Sequence, residues 1–152
     1  MGTFTTKAPD ILVNMVKSDE GFRNRLYLDS LGLQTIGIGF CLDRSPLPEI
    51  VADFWCGHLL DQLTERIENN EELGRIYQNL TEPRKFALLN MAYQLGLTGL
   101  GEFRNMWNAM EYDHYHEAAE HALDSRWFTQ TPKRAKRIAK VIETGTLKPY
   151  GM

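Results

Sequence analysis

Between residues 20 and 39 the chain gathers two carboxylates, a hydroxyl and several glycines: Glu20, Asp29 and Thr35, with Gly21, Gly37 and Gly39. Two carboxylates facing one cleft suit acid–base hydrolysis of a glycosidic bond. One is held protonated to donate to the leaving oxygen, and the other stays ionised to activate or place water. The stretch APDILVNMVKSDEG before Gly21 predicts a short amphipathic helix, with Ile11, Leu12, Met15 and Val16 on one face and Gly21 as its stop. Asp19 and Glu20 then occupy the last turn, at the negative end of the helix dipole, where a cation is preferred. That potential favours a protonated carboxyl, the form a proton donor needs. A glutamate badly placed for helix stability is therefore well placed as an acid, provided that no strong cation does more than tune it.

The elements that position this cluster follow from local patterning. RNRLYLDS and LQTIGIGF predict two strands joined around Asp29-Ser30-Leu31-Gly32, a turn-rich tetrad. With a period of two, Leu26 and Leu28 point one way, and Tyr27 and Asp29 the other. Ile36, Ile38 and Phe40 share a face, opposite Thr35, Gly37 and Gly39. The apolar side is expected to be core. The other side, polar and floored by glycine, is expected to border a cleft, since glycines at alternate strand positions mark close approach of a ligand or another backbone. Each residue also has a plainer reading. Glu20 could be a surface glutamate on a fraying helix end, Asp29 a turn former capping its own backbone, Thr35 an ordinary β-branched strand residue, and the glycines a site of close packing.

From about Glu49 to Glu72 apolar residues recur at three and four, which predicts a long helix able to bridge two lobes. Thr81 reads as the N-cap of EPRKFALLNMAYQLG, with Pro83 in the first turn and Gly96 as the stop. Its interior (Phe86, Ala87, Leu88, Leu89, Met91, Ala92, Tyr93, Leu95) is apolar nearly all round, as in a central buried helix. Short helices follow, interrupted near Gly99–Gly101, Tyr112–Asp113 and Asp124–Ser125. The fold class is α+β: a small antiparallel β lobe over about 20–45, an inter-lobe helix over about 49–72 and a larger helical lobe over about 81–150, in a single 152-residue domain.

Composition narrows the function classes. The formal charge of −3 is uneven, with 7 basic against 12 acidic residues up to position 80 and 10 against 8 after it. The basic run TPKRAKRIAK (131–140) has a nucleic-acid reading, but no groove-reading motif accompanies it and the chain is acidic, so a solvated helix face is the expectation. Cys41 and Cys56 form no disulfide framework, and the four histidines have no ligand spacing, so neither a metal nor another cofactor is expected. MGTFTTKAPD lacks the architecture of a signal peptide, and no stretch approaches the roughly 20 apolar residues of a membrane span.

The run E-G-x5-Y-x-D-x2-G-x2-T-I-G-x-G, here Glu20, Gly21, Tyr27, Asp29, Gly32, Thr35, Ile36, Gly37 and Gly39, resembles the catalytic segment of the phage-type lysozymes. NMAYQLGLTGLGEF (90–103), SRWFTQTPKRAKRI (125–138) and TGT (144–146) resemble the C-terminal lobe of the T-even bacteriophage lysozymes. The resemblance implies a two-lobed lysozyme-like fold. It also implies a muramidase cleaving the β-1,4 bond between N-acetylmuramic acid and N-acetylglucosamine in bacterial peptidoglycan, with inversion at the anomeric carbon. By carry-over Glu20 is the general acid, Asp29 places or activates the attacking water, and Thr35 helps hold it. Tyr93, Gln94, Phe103, Met106 and His121 fall at substrate-binding positions, and Arg134 is the expected cation near Glu20.

This chain departs from the pattern in several places. Phe40 stands where the family commonly has histidine, and the stretch between the hairpin and residue 81 is shorter by about one helix. Cys41, Met106 and His121 match saccharide-contact positions but differ in type. The chain is acidic where the T-even enzymes are basic, which suits delivery to the cell wall as part of a phage tail rather than long-range adsorption. The resemblance thus implies an endolysin or virion-associated enzyme, in the host cytoplasm before release to the wall or carried in the virion, with peptidoglycan as partner. A monomer is expected because a polymeric wall gives a cleft enzyme no use for a symmetric partner, and no nucleic acid is expected from the charge. The competing expectation is a non-catalytic peptidoglycan-binding or structural tail module on the same fold.

Overall fold

The computed structural model describes residues 6–152; residues 1–5, part of the N-terminal stretch read above, lie outside the described residues. The chain forms two compact units, residues 1–56 and 57–152. In the first, helix α1 (Asp10–Glu20) leads into a three-stranded antiparallel sheet of β1 (Arg23–Leu28), β2 (Gln34–Gly37) and β3 (Phe40–Cys41), in the order β1-β2-β3. Helix α2 (Glu49–Glu68) contains the division between the units. The second unit continues with α3 (Glu71–Tyr77), α4 (Glu82–Gly101), α5 (Arg104–Glu111), α6 (Tyr115–Leu123), α7 (Arg126–Gln130), α8 (Pro132–Thr144) and a closing 3-10 turn, Lys148–Tyr150. The protein has an α+β fold, with a small antiparallel sheet in the first unit and a larger set of helices in the second.

Local chemistry sets most boundaries. Gly21, at φ +75°, ends α1 at Glu20 with its N–H on the Lys17 carbonyl (2.9 Å). The Asp29–Gly32 turn forms as expected. Asp29 N–H donates to Leu33 O (2.9 Å), Gly32 N–H donates to Asp29 O (3.0 Å), and Gly32 takes φ +77°. The helical pattern read over 49–72 divides, because Asn70 caps a separate α3 by accepting from Glu72 N (3.2 Å) and Leu73 N (2.9 Å). Thr81 has the extended backbone of an N-cap without the capping side-chain bond; its hydroxyl instead accepts from Arg84 Nη1 at 3.4 Å. Gly96 interrupts α4 at φ +72°, where the helix was expected to stop, and helical geometry then resumes.

The core lies in the second unit. Leu88, Met91, Leu100, Met106, Ile138 and Ile142 are fully buried there with Trp107 and Trp127 nearly so, and α6 and α8 form one of its main packed pairs. α4 supplies Ala87, Leu88, Leu89, Met91 and Ala92 to this core, whereas Phe86 and Tyr93 are half exposed. In the first unit the expected burial of the apolar faces is not found. Ile11, Leu12, Met15 and Val16 of α1 are exposed, as are Leu26, Leu28 and Phe40 of the sheet, and among the described residues Thr35 alone is buried. Strands of six, four and two residues with one short helix hold too little chain to close a core of their own.

One polar side chain ties three helices of the second unit together. Arg84 on α4 donates from Nε to Ile142 O (2.8 Å) and from Nη2 to Glu143 O (3.3 Å), satisfying carbonyls at the end of α8. Its guanidinium also lies 3.4 Å from the Tyr115 ring centroid at the start of α6. Replacing Arg84 by alanine should destabilise the protein by about 1–3 kcal/mol, and Arg84→Lys should recover only part of this, since it lacks the planar fork. Urea unfolding with an unchanged slope checks this.

A second tie between α6 and α8 is ionic. His116 Nδ1 lies 2.9 Å from Glu143 Oε1, and Lys140 Nζ lies 2.7 Å from Glu143 Oε2. The bond to Glu143, aided by Glu120, raises the His116 pKa; the bonds from Lys140 and then His116 lower that of Glu143. The raised histidine stabilises fully below its unfolded value of about 6.5, and this contribution is lost as pH rises through the folded value. The lowered glutamate stabilises above about 4.5, and its contribution is lost as pH falls through its folded value. The stability difference between wild type and His116→Ala should therefore be largest between about pH 5 and 6 and shrink towards pH 9. Urea midpoints of both proteins across this range measure it, and the effect is small because the groups face solvent.

Candidate active site

Helix α1, the β1–β2 turn and the β2–β3 hairpin place Glu20, Asp29 and Thr35 within the first unit. Glu20 is the last residue of α1, as its position before Gly21 predicts. Its carboxylate lies over Gly39: a Cβ at that residue would stand 2.6 Å from Glu20 Oε2 and 3.1 Å from Cδ. The first approach is closer than real Cβ atoms come, so a side chain at residue 39 would oblige the Glu20 carboxyl, the free end of a flexible side chain, to shift from this position. Gly39 also has φ +68°, a conformation that other residues adopt at a cost.

Asp29 accepts from Leu31 N (2.8 Å) and Leu33 N (2.9 Å), both on Oδ1. The plainer reading of Asp29, a residue capping its own turn, is thus realised, but it uses one oxygen. The turn fixes the carboxylate and leaves Oδ2 out of both bonds. Thr35 pairs with Tyr27 across the β1–β2 ladder, so these two share a face as the alternation predicts, and a register irregularity lies between Arg23 and Tyr27. The Thr35 hydroxyl donates to Leu33 O at 3.1 Å, which leaves its lone pairs free to accept. The Arg23 guanidinium lies 4.4 Å from the Tyr27 ring centroid, over the same ladder.

Gly37 and Gly39 have a different setting from the one expected. They are not two flat positions on a strand face: both have positive φ and shape the tight connection between β2 and β3, where Ile36 pairs with Phe40. Asp43 closes the far end of this hairpin by accepting from Gln34 N at 2.7 Å.

The second unit gathers three of the other expected residues. Phe103, Met106 and His121 line a pocket of about 630 Å³ with Arg104, Arg126 and Trp127. Met106 is fully buried, because α5 turns Met106, Trp107, Ala109 and Met110 inward, so it forms floor and core and has no surface for a ligand. Gln94 accepts from Trp127 Nε1 (2.9 Å), and the Trp127 ring meets Phe103 edge-on at 6.0 Å. Tyr93 lines a separate groove of about 680 Å³ with Gln62, Leu63 and Arg66. Arg134 donates from Nε and Nη2 to the side-chain and backbone oxygens of Asn90 (2.9 and 2.8 Å) and is held within the second unit. Trp127 was not singled out from the sequence. Its signal was a tryptophan just after Ser125, which caps α7 by accepting from Phe128 N.

Among the described residues no group of three or more His, Cys, Asp or Glu is placed to hold a metal ion, and no helix is long and apolar enough to cross a membrane. The arrangement in the first unit offers a carboxyl on a helix end, a second carboxylate pinned through one oxygen and a buried hydroxyl with accepting capacity.

Residues 17–140 match the family model described as Phage lysozyme. "Probable T4-type lysozyme 2" of Dictyostelium discoideum is 35% identical over 91% of this chain and 97% of its own length. The "Pre-baseplate central spike protein Gp5" of Enterobacteria phage T4 is 28% identical over 93% of this chain, which spans 29% of that protein. The "Peptidoglycan hydrolase gp36" of Pseudomonas phage phiKMV is 30% identical over 80% of this chain and 14% of its own length.

If the Gly39 contact positions Glu20, Gly39→Ala should lower peptidoglycan turnover by at least about tenfold, beyond the roughly 1 kcal/mol of backbone strain that a positive-φ alanine adds. Gly151, at φ +77° with open space around it, is the control. Gly151→Ala should share the strain and keep its turnover, as parallel thermal melts and turbidity-clearing rates would show.

Proposed function

The chain belongs to the phage lysozyme family and is a lysozyme-type hydrolase, and from this premise we propose that it cleaves the β-1,4 bond between N-acetylmuramic acid and N-acetylglucosamine in bacterial peptidoglycan. Glu20 donates a proton to the leaving glycosidic oxygen. It ends α1, and its carboxyl lies over Gly39 at the β2–β3 connection. Asp29, its turn satisfied through Oδ1, directs Oδ2 chemistry at a water, and the Thr35 hydroxyl accepts a hydrogen bond from that water. Attack from the face opposite the leaving group inverts the anomeric centre, as in other enzymes in which water rather than a carboxylate is the nucleophile.

The observation that carries this reading is the Glu20–Gly39 approach, because it explains both an acid at a helix C-terminus and a glycine in the hairpin by one requirement. Phe103 and His121 supply saccharide or stem-peptide contacts; Met106 supports them from below. Resemblance to a phage spike protein favours a wall-penetrating enzyme carried in the virion over release as a free endolysin.

Glu20→Gln and Asp29→Asn should each lower the rate of reducing-end release from purified peptidoglycan by about 10²–10⁴-fold while melting near the wild-type temperature. Thr35→Val, which keeps the shape and loses the acceptor, should lower it less. Full activity in Glu20→Gln would remove Glu20 from the mechanism.

A further inference from the structure

Phe40 is 58% exposed, yet it adjoins Gly39, the residue that seats the Glu20 carboxyl. Its ring lies against Gly37. A Cβ at Gly37 would stand 2.7 Å from both Cδ2 and Cε2 of Phe40, so the bare Gly37 backbone receives that edge of the ring. The Phe40 backbone is held in the ladder opposite Ile36. The β2–β3 hairpin therefore uses two glycines in the same way: Gly39 admits the carboxyl, and Gly37 admits the phenyl ring.

A solvent-facing phenyl ring next in sequence to the glycine that meets an acid has a particular use. It has no polar atom, so it contributes no hydrogen bond and no charge; it offers flat apolar surface. A pyranose whose substituents are equatorial presents axial C–H groups on its faces, and these pack on an aromatic ring while hydroxyl and acetamido groups reach polar partners around the rim. The other large exposed apolar side chains on or next to the sheet suit that role less. Leu26, Leu28 and Leu31 have no flat face, and the Phe22 ring has Lys17 Nζ 5.2 Å from its centroid.

We propose that Phe40 is a saccharide-stacking residue, packing against a pyranose ring next to the bond that Glu20 protonates. This rests on the hydrolase reading above and names a specificity-determining contact for it. The contact selects for sugar rings with an unobstructed axial face and is indifferent to the peptide stem.

The test separates binding from turnover. In a Glu20→Gln background, which binds without cutting, retention on insoluble peptidoglycan and titration with soluble N-acetylglucosamine oligomers are compared for Phe40, Phe40→Ala, Phe40→Leu and Phe40→Trp. Phe40→Ala and Phe40→Leu should each bind about 3- to 10-fold more weakly, the range expected for loss of one aromatic contact. Phe40→Trp should bind at least as well as the parent, although leucine is the closer match in size. In the active enzyme Phe40→Ala should raise KM more than it lowers kcat. Thermal melts show that each variant is folded, and Ile50→Ala, which removes an equally exposed apolar side chain on α2, controls for general stickiness and should bind like the parent. If Phe40→Ala or Phe40→Leu binds as tightly as the parent while the wild type hydrolyses peptidoglycan, the stacking role is overturned and the hydrolase reading stands. If the wild type hydrolyses no peptidoglycan, both fall.

Discussion

The first unit is organised around the space that Gly39 leaves empty. The Glu20 carboxylate fills the place that any Cβ at residue 39 would need, so the end of α1, the β2–β3 connection and the identity of residue 39 are one constraint. Giving residue 39 a side chain would make the Glu20 carboxyl shift from this position. Gly21 fixes where the helix ends, the Asp29 turn fixes where β2 begins, and the ladder from Thr35 to Tyr27 holds the two in register. These are backbone devices, which suits a unit with so little buried side chain.

The two units are stabilised by different means. Residues 57–152 hold the packed core, closed by Arg84 on the end of α8 and by the Trp107 indole, which donates to Leu100 O at 3.0 Å. Local openings are expected to be easiest where buried apolar contacts are fewest, which here is residues 6–56. The chemistry we propose sits on the more weakly packed part, as is common for segments that must rearrange around a substrate.

Much of the site was legible because it depends on local rules. Gly21 as a helix stop, Asp29–Gly32 as a turn and Gly96 as a break in α4 all follow from the conformations that glycine and aspartate allow. The shared face of Tyr27 and Thr35 follows from the pleat. What failed depends on partners that a sequence pattern does not name. The apolar face of α1 and the leucines of β1 look like core in one dimension, but burial needs an opposing layer that residues 6–56 lack. Met106 matched a contact position by alignment, yet α5 turns it inward. The Gln94–Trp127 pair joins residues 33 apart through one hydrogen bond, and no periodicity carries that signal. Gly37 and Gly39 were read as marks of approach by a ligand or another backbone, and what lies close to them is two side chains, Phe40 and Glu20. Their positive φ values, and the two side chains they admit, required the fold.

The central claim is that a protonated Glu20 and a water directed by Asp29 and Thr35 cleave the glycan by hydrolysis. Mass spectrometry of borohydride-reduced digests of purified peptidoglycan tests it most directly, because the product end shows both which bond broke and whether water was added. The account predicts fragments ending in reduced N-acetylmuramic acid, each heavier by one water plus the two hydrogens of reduction than the corresponding cyclised product, which has no reducing end to reduce. Fragments ending in a 1,6-anhydro ring, or in reduced N-acetylglucosamine, would contradict it: the first would mean that no water attacks, the second that the other glycosidic bond is cut.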